Sequence, residues 1–201
     1  MKMDQIYLRH AEARKNKTGI HGGTGTELSE RGASQALKLG EKLKISSPNT
    51  KHIIVGGTSS HVIHTAQSIQ NSLGCSMQFY PELNGINLGV LHGLNEVDAQ
   101  TAYPAAYAML MSWSHGKLGI ESLQIEGMEN MASFKNRVVN KLAQIEAAYN
   151  CRVILVGTRS TLILIANVVR MHPDFRWSDY RTSKFEYCIE FHTSIRWSNC
   201  I

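Results

Sequence analysis

The chain predicts an α/β fold with a largely parallel sheet covered on both faces, and three observations carry that expectation. Short apolar runs at residues 5–8, 51–56 and 152–157 have the composition of buried strands, and amphipathic segments of helical period separate them. An Arg9-His10 pair ends the first run, at the strand edge where ligands bind in open α/β sheets. With 201 residues and 43% hydrophobic content the chain can bury one substantial core, so a single domain over 1–201 is expected.

The elements follow in order. Gln5-Ile6-Tyr7-Leu8 is the first strand. Residues 16–27 are rich in Gly and Thr and read as a loop. Its glycines at 19–25 lack the Gly-Lys-Ser/Thr of a phosphate loop, so they predict a mobile loop over a pocket mouth. Ser29 is placed to cap a helix over 30–44, with Ala33, Ala36, Leu37, Gly40 and Leu43 at helical spacing. A strand over 51–56 is bounded by Pro48-Asn49 and Gly56-Gly57. A helix with Ile63, Ala66, Ile69 and Leu73 on one face follows, then a short strand at 77–80.

Residues 81–127 are less regular and read as an inserted region with one helical piece at 102–113. A long amphipathic helix is predicted over 129–149, on Met131, Phe134, Val138, Leu142 and Ile145. The run 152–157 is the clearest strand, followed by a helix over 162–170 and a last strand at 185–191.

Composition removes several classes of function. The net charge of +5 comes from scattered residues, Arg14-Lys15-Lys17 and Lys38-Lys42-Lys44 being the only loose groups. Without a basic stripe and interleaved aromatics, nucleic acid is not an expected partner, and these groups read as solvated faces. No apolar run reaches the roughly 18 residues of a membrane span, and no signal peptide is visible. Cys75, Cys151, Cys188 and Cys200 form no zinc or redox spacing, and the first two read as small buried hydrophobes. A cytoplasmic protein is expected, with homo-oligomerisation left open. His61 and His64 lie three apart on one helix face, but no carboxylate or further His completes a ligand set. No metal and no cofactor are expected. Trp113, Trp177 and Trp197 are far apart and need no function.

The chemistry rests on Arg9 and His10. Arg presents a planar, always-charged fork suited to phosphate or carboxylate, and His can act as nucleophile or proton carrier near neutral pH. In this context the chain resembles the histidine phosphatase (phosphoglycerate mutase-like) superfamily. Leu8-Arg9-His10 matches that family's opening motif, and Asn16 sits where the family places an Asn. Leu28-Ser29-Glu30-Arg31-Gly32 with Gln35-Ala36 is similar to its first helix, and His64-Thr65-Ala66 to the Gln-Thr-Ala of its second. Leu83, Gly89 and Gly93 echo the next block. Val153 to Val156 echo the strand before the second catalytic His.

The resemblance implies a three-layer sandwich with a central mixed, mostly parallel sheet. It also implies a phosphohistidine mechanism. His10 attacks a phosphoryl group, two Arg and a second His hold its oxygens, and an acid protonates the leaving oxygen. Three positions depart from that pattern: the second Arg falls at His61, the acid at Gly85 and the second His at Thr158, followed by Arg159. Losing one positioned donor costs about 10²–10³ in rate, and losing the acid about 10²–10⁴.

Substitutes are conceivable: a protonated His61, Arg159 swung into the pocket, or an acid from Glu12, Glu82 or Glu96. The expected site is therefore Arg9 and His10 as catalytic pair, with Asn16, His61, Thr158 and Arg159 binding a small phosphorylated or carboxylated ligand. Two functions follow. One is a divergent phosphomonoester hydrolase or repurposed enzyme with His10 as nucleophile or base. The other is a catalytically silent relative that binds a phosphorylated ligand or protein partner.

Overall fold

The central strands bury apolar residues on both faces, and this organises the molecule. In the computed structural model, which describes residues 5–23, 25–169 and 188–193, the first strand is β1 (Gln5–Arg9). It is followed by the short helix α1 (Arg14–Lys17), α2 (Glu30–Ser46), β2 (His52–Gly56), α3 (Ser60–Leu73) and β3 (Ser76–Phe79). Then come α4 (Glu96–Ala102), α5 (Pro104–Ser114), α6 (Met131–Ala148), β4 (Arg152–Gly157), α7 (Arg159–Val169) and β5 (Cys188–Thr193). The sheet order is β3-β2-β4-β1-β5; the first four strands are parallel, and β5 runs antiparallel to β1.

Because successive strand residues face opposite ways, the sheet feeds two cores. Tyr7, Ile53, Val55, Val153 and Leu155 pack with Phe134, Val138 and Leu142 of α6, Leu162 and Ile165 of α7, and Leu110 of α5. Ile6, Leu8, Ile54, Ile154 and Val156 pack with Leu43 of α2 and with Val62, Ala66 and Ile69 of α3. Apolar residues on both faces explain why these strands read as continuous hydrophobic runs. No helix among the described residues is long and apolar enough to cross a membrane.

Local chemistry sets the helix ends. Ser29 caps α2 as its sequence predicts, its Oγ accepting from the Gly32 N–H at 3.0 Å. A Cβ at Gly32 would sit 1.9 Å from the Glu12 carbonyl oxygen, so only glycine lets α2 approach the segment after β1. Asn130 caps α6 by accepting from the Ala132 and Ser133 N–H groups.

The structure departs from the sequence expectations in a few places. The buried residues of α3 are His61, Val62, Thr65, Ala66 and Ile69, so its inner face is turned from the Ile63 stripe toward the polar pair His61 and Thr65. That turn is fixed by Thr65, whose Oγ1 donates to the His61 carbonyl at 2.7 Å and accepts from the Ala11 N–H at 3.0 Å. The helical piece expected at 102–113 is α5, and a second helix not expected from the sequence, α4, comes before it. Pro104 breaks them, and Tyr103 before it leaves the helical region at φ −137°, ψ 60°. Helix α7 starts three residues early because Thr158 caps it: its carbonyl accepts from the Leu162 N–H at 3.0 Å. Cys75 and Cys151 are free thiols and half-buried rather than buried. Of the strand expected at 185–191, residues 185–187 lie outside the described residues.

Candidate functional site

The parallel register carries the C-terminal ends of β1 and β4 to the same sheet edge, with Arg9 opposite Gly157. The chain then leaves β1 through His10, whose N–H donates to the Gly157 carbonyl at 3.0 Å. A cavity of about 560 Å³ opens there. Arg9, His10, Asn16, His61, Thr158 and Arg159 all line it, so the fold brings together every residue expected in the site.

His10 is the best-defined member. It is 7% exposed, and its Nδ1 lies 2.8 Å from the Ala11 carbonyl oxygen. A carbonyl only accepts, so Nδ1 carries the ring proton and Nε2 keeps its lone pair. Burial, then the neighbouring His61 and Arg9, push His10 well below the ordinary histidine range, which keeps it neutral at pH 7.

His61 is 1% exposed, and its ring stands 4.1 Å from that of His10 in an edge-to-face arrangement. Neither of its ring nitrogens has a hydrogen-bond partner among the described residues. Burial and the charges of Lys15 and Arg9 lower it to about 3. Both causes act against the protonated His61 that was conceivable as a stand-in for an Arg. A ring already desolvated between two cations stays neutral, and it offers one N–H rather than a charge.

The segment 158–161, where the resemblance leads to the expectation of a second His, carries a hydroxyl network. Thr158 Oγ1 lies 3.2 Å from Ser160 Oγ and 3.1 Å from Thr161 Oγ1. Ser160 Oγ accepts from the Ile86 N–H at 3.1 Å, and Thr161 Oγ1 donates to the Leu83 carbonyl. A Cβ at Gly85 would stand 2.7 Å from Thr158 Oγ1. The two departures thus touch each other: the hydroxyls occupy the space beside Gly85.

Arg159 faces the cavity. Its Nη2 donates to the Ser114 carbonyl at 2.6 Å, and its guanidinium lies 5.0 Å from the centre of the Trp113 ring. Trp113, which no sequence feature singles out, also lines the cavity. Asn16 is oriented by its own backbone: its Oδ1 accepts from the Ala13 N–H at 2.8 Å, which leaves the amide NH₂ as the end able to donate to an anion.

None of the three proposed acids lines the cavity. Glu12 accepts from Ser29 Oγ at 2.6 Å, Glu82 pairs with Lys141 at 3.0 Å, and Glu96 accepts from the Tyr107 hydroxyl at 2.6 Å. Each is engaged by its local structure, so these expectations are corrected. The carboxylate that does line the cavity is Glu129, bound by both Nε and Nη2 of Arg137. Arg137 spends its other donors on the carbonyls of Glu82, Asn84 and Gly85, so all five N–H groups are committed. It shapes the cavity wall and has no donor left for a ligand.

The glycine-rich loop is pinned rather than loose over the mouth. His21 N–H donates to the Leu94 carbonyl at 2.9 Å, Gly93 N–H returns to the His21 carbonyl, and Gly23 N–H reaches His92 Nε2 at 3.1 Å. Lys15, read from the sequence as part of a solvated basic group, is 9% exposed and lines the cavity. Its position immediately before Asn16, six residues after Arg9, is the one signal that could have found it. No three His, Cys, Asp or Glu side chains gather to hold a metal ion among the described residues.

Comparison with known proteins agrees with the fold. The family model described as Histidine phosphatase superfamily (branch 1) matches residues 6–187. The chain is 27% identical over 182 residues to the probable phosphoglycerate mutase GpmB of Salmonella paratyphi C, covering 89% of this chain and 80% of that protein. Among solved structures it is similar to the mycobacterial glucosyl-3-phosphoglycerate phosphatase in complex with VO₃, with a TM-score of 0.69 at 22% identity over 84% of this chain and 83% of that one. The alpha-ribazole phosphatase of Shigella flexneri is similar too, with a TM-score of 0.65 at 22% identity over 83% and 80%. At these identities the structural likeness shows the fold.

Proposed function

The chain belongs to the histidine phosphatase superfamily, and on that premise we propose that it is a divergent phosphomonoester hydrolase acting on a small phosphorylated molecule. The observation that carries the reading is His10: a buried, neutral imidazole whose Nδ1–H is held by the Ala11 carbonyl and whose Nε2 lone pair is free to attack. In the first step an Nε2–P bond forms and the ester P–O bond breaks, its electron pair leaving with the alcohol oxygen. The alcohol oxygen takes a proton from solvent. Water then attacks phosphorus, and an O–P bond forms as the P–Nε2 bond breaks with its electron pair returning to Nε2. A proton passes to solvent, and inorganic phosphate leaves. Arg9, the Asn16 amide, the Thr158 hydroxyl and Arg159 are the donors in reach of the phosphoryl oxygens or of a carboxylate on the same molecule, with His61 as a neutral donor.

A second reading has a specific observation in its favour. The hydroxyls of Thr158 and Ser160 fill the space beside Gly85, and the lining carboxylate Glu129 is locked to Arg137. A pocket so arranged binds a phosphorylated ligand or partner without turning it over. One experiment separates the two. Aryl phosphates and a panel of phosphomonoesters are assayed with the wild type and His10→Gln, and an acid-quenched reaction is searched for phosphohistidine by mass spectrometry. Turnover that vanishes in His10→Gln, with a trapped phosphohistidine, supports the enzyme. Phosphate binding without His10-dependent turnover selects the silent binder.

A further inference from the structure

Lys15 stands out once the site is assembled. It belongs to the four-residue helix α1 and is 9% exposed, yet no carboxylate pairs with it among the described residues. Its single hydrogen bond there is from Nζ to the Gly22 carbonyl at 2.6 Å. An ammonium has three donors, so two remain without a protein acceptor. A buried cation without a counter-charge is costly, and such charges are retained where something pairs them. The side chain lines the same cavity as Arg9, His10 and His61. Gly22, whose carbonyl accepts from Nζ, lines the cavity too, as do His21 and His92.

We propose that Lys15 is the second cation of the anion site, binding the oxygens of the phosphoryl group together with Arg9. The proposal rests on the phosphate-pocket reading of the cavity. Its geometry is pre-set: the Gly22 carbonyl that holds Nζ belongs to a loop fastened to residues 92–94 through His21 and Gly23. An anion entering the cavity therefore meets an ammonium already in place, which is what makes such a donor effective. The stem of Lys15 is covered by the protein, so the charge is screened less than a surface lysine's.

The test uses inorganic phosphate and orthovanadate as probes, titrated calorimetrically into wild type, Lys15→Met, Lys15→Arg and Arg9→Ala. Losing a charge-assisted hydrogen bond weakens binding by about tenfold to a hundredfold, so Lys15→Met should fall by that much. Lys15→Arg, which keeps the charge, should recover most of the loss. In the wild type, the Lys15 ammonium resonance in lysine-selective NMR should shift along the same saturation curve as the calorimetric signal. This measurement stands even if Lys15→Met does not fold. Equal affinity in wild type and Lys15→Met, or a Lys15 resonance that ignores phosphate, overturns the proposal while leaving the pocket intact through the Arg9→Ala effect. A wild type that binds neither probe removes the pocket reading and this proposal together.

Discussion

At the scale of the residue, Gly85, Thr158 and Ser160 behave as one packed unit rather than as separate positions. Gly85 has ordinary backbone angles, so its lack of a side chain is a matter of space: Thr158 Oγ1 and Ser160 Oγ would lie 2.7 and 3.0 Å from a Cβ there. Thr158 cannot easily turn away, because its hydroxyl is tied to Ser160 and Thr161 at the start of α7. Gly85→Ala should therefore destabilise the protein by about 1–3 kcal/mol, the usual cost of overpacking. The same change made in a Thr158→Ala background should cost much less, since the clashing oxygen is gone. Urea unfolding of the two single variants and the double variant gives the coupling directly. Additive effects would mean that the two positions do not share space. The same contact bears on any attempt to rebuild an acid at position 85, which must include a change at Thr158.

At the scale of the element, α6 shapes the cavity wall from a distance. Arg137 crosses from α6 to the chain between β3 and α4, gripping three consecutive-neighbourhood carbonyls while Glu129 neutralises it. Lysine has neither the planar fork nor the donor count, so Arg137→Lys should not rescue what Arg137→Met removes. Either change should cost about 2–3 kcal/mol in unfolding free energy, and hydrogen exchange at residues 83–86 should quicken; unchanged exchange there would mean the segment holds itself. This element also marks the limit of what sequence could reveal. Strands β1, β2 and β4 were legible because burial on both faces writes a continuous apolar run, and α2 because Ser29 and its periodic apolar residues are neighbours in sequence. Arg9 and His10 were legible because a strand end and a ligand edge coincide. Arg137 was not, since the carbonyls it grips lie more than fifty residues away. Lys15 was not, since its burial depends on a loop docked against residues 92–94. The inner face of α3 was misjudged because Thr65 answers to Ala11, a contact that periodicity does not carry.

At the scale of the whole molecule, the pocket sets how stability responds to acid. His10 and His61 are held below the ordinary histidine value by burial and by nearby positive charge, and His21, His52 and His92 are lowered chiefly by burial. In the unfolded chain these rings return to about 6.5. Below that pH the unfolded state binds more protons than the folded one, so stability is full above the unfolded pKa and is lost as pH falls toward each folded value. For His61 the window runs from about 6.5 down to about 3. Each such ring lowers the unfolding free energy by up to about 1.4 kcal/mol per pH unit inside its window. Glu82 and Glu129 are lowered from the ordinary carboxylate range, so their losses begin only at more acid pH. Between pH 7 and 5 the histidines should therefore dominate. Urea unfolding across that range should show stability falling with acid, and a His10→Gln, His61→Gln double variant should have a visibly shallower slope. Saturating phosphate should raise the wild-type curve, because a ligand of the folded state alone stabilises it. A flat wild-type profile, or a double variant with the parent's slope, would mean that these two rings are not buried neutral, and the electrostatic account of the site would fall with that result.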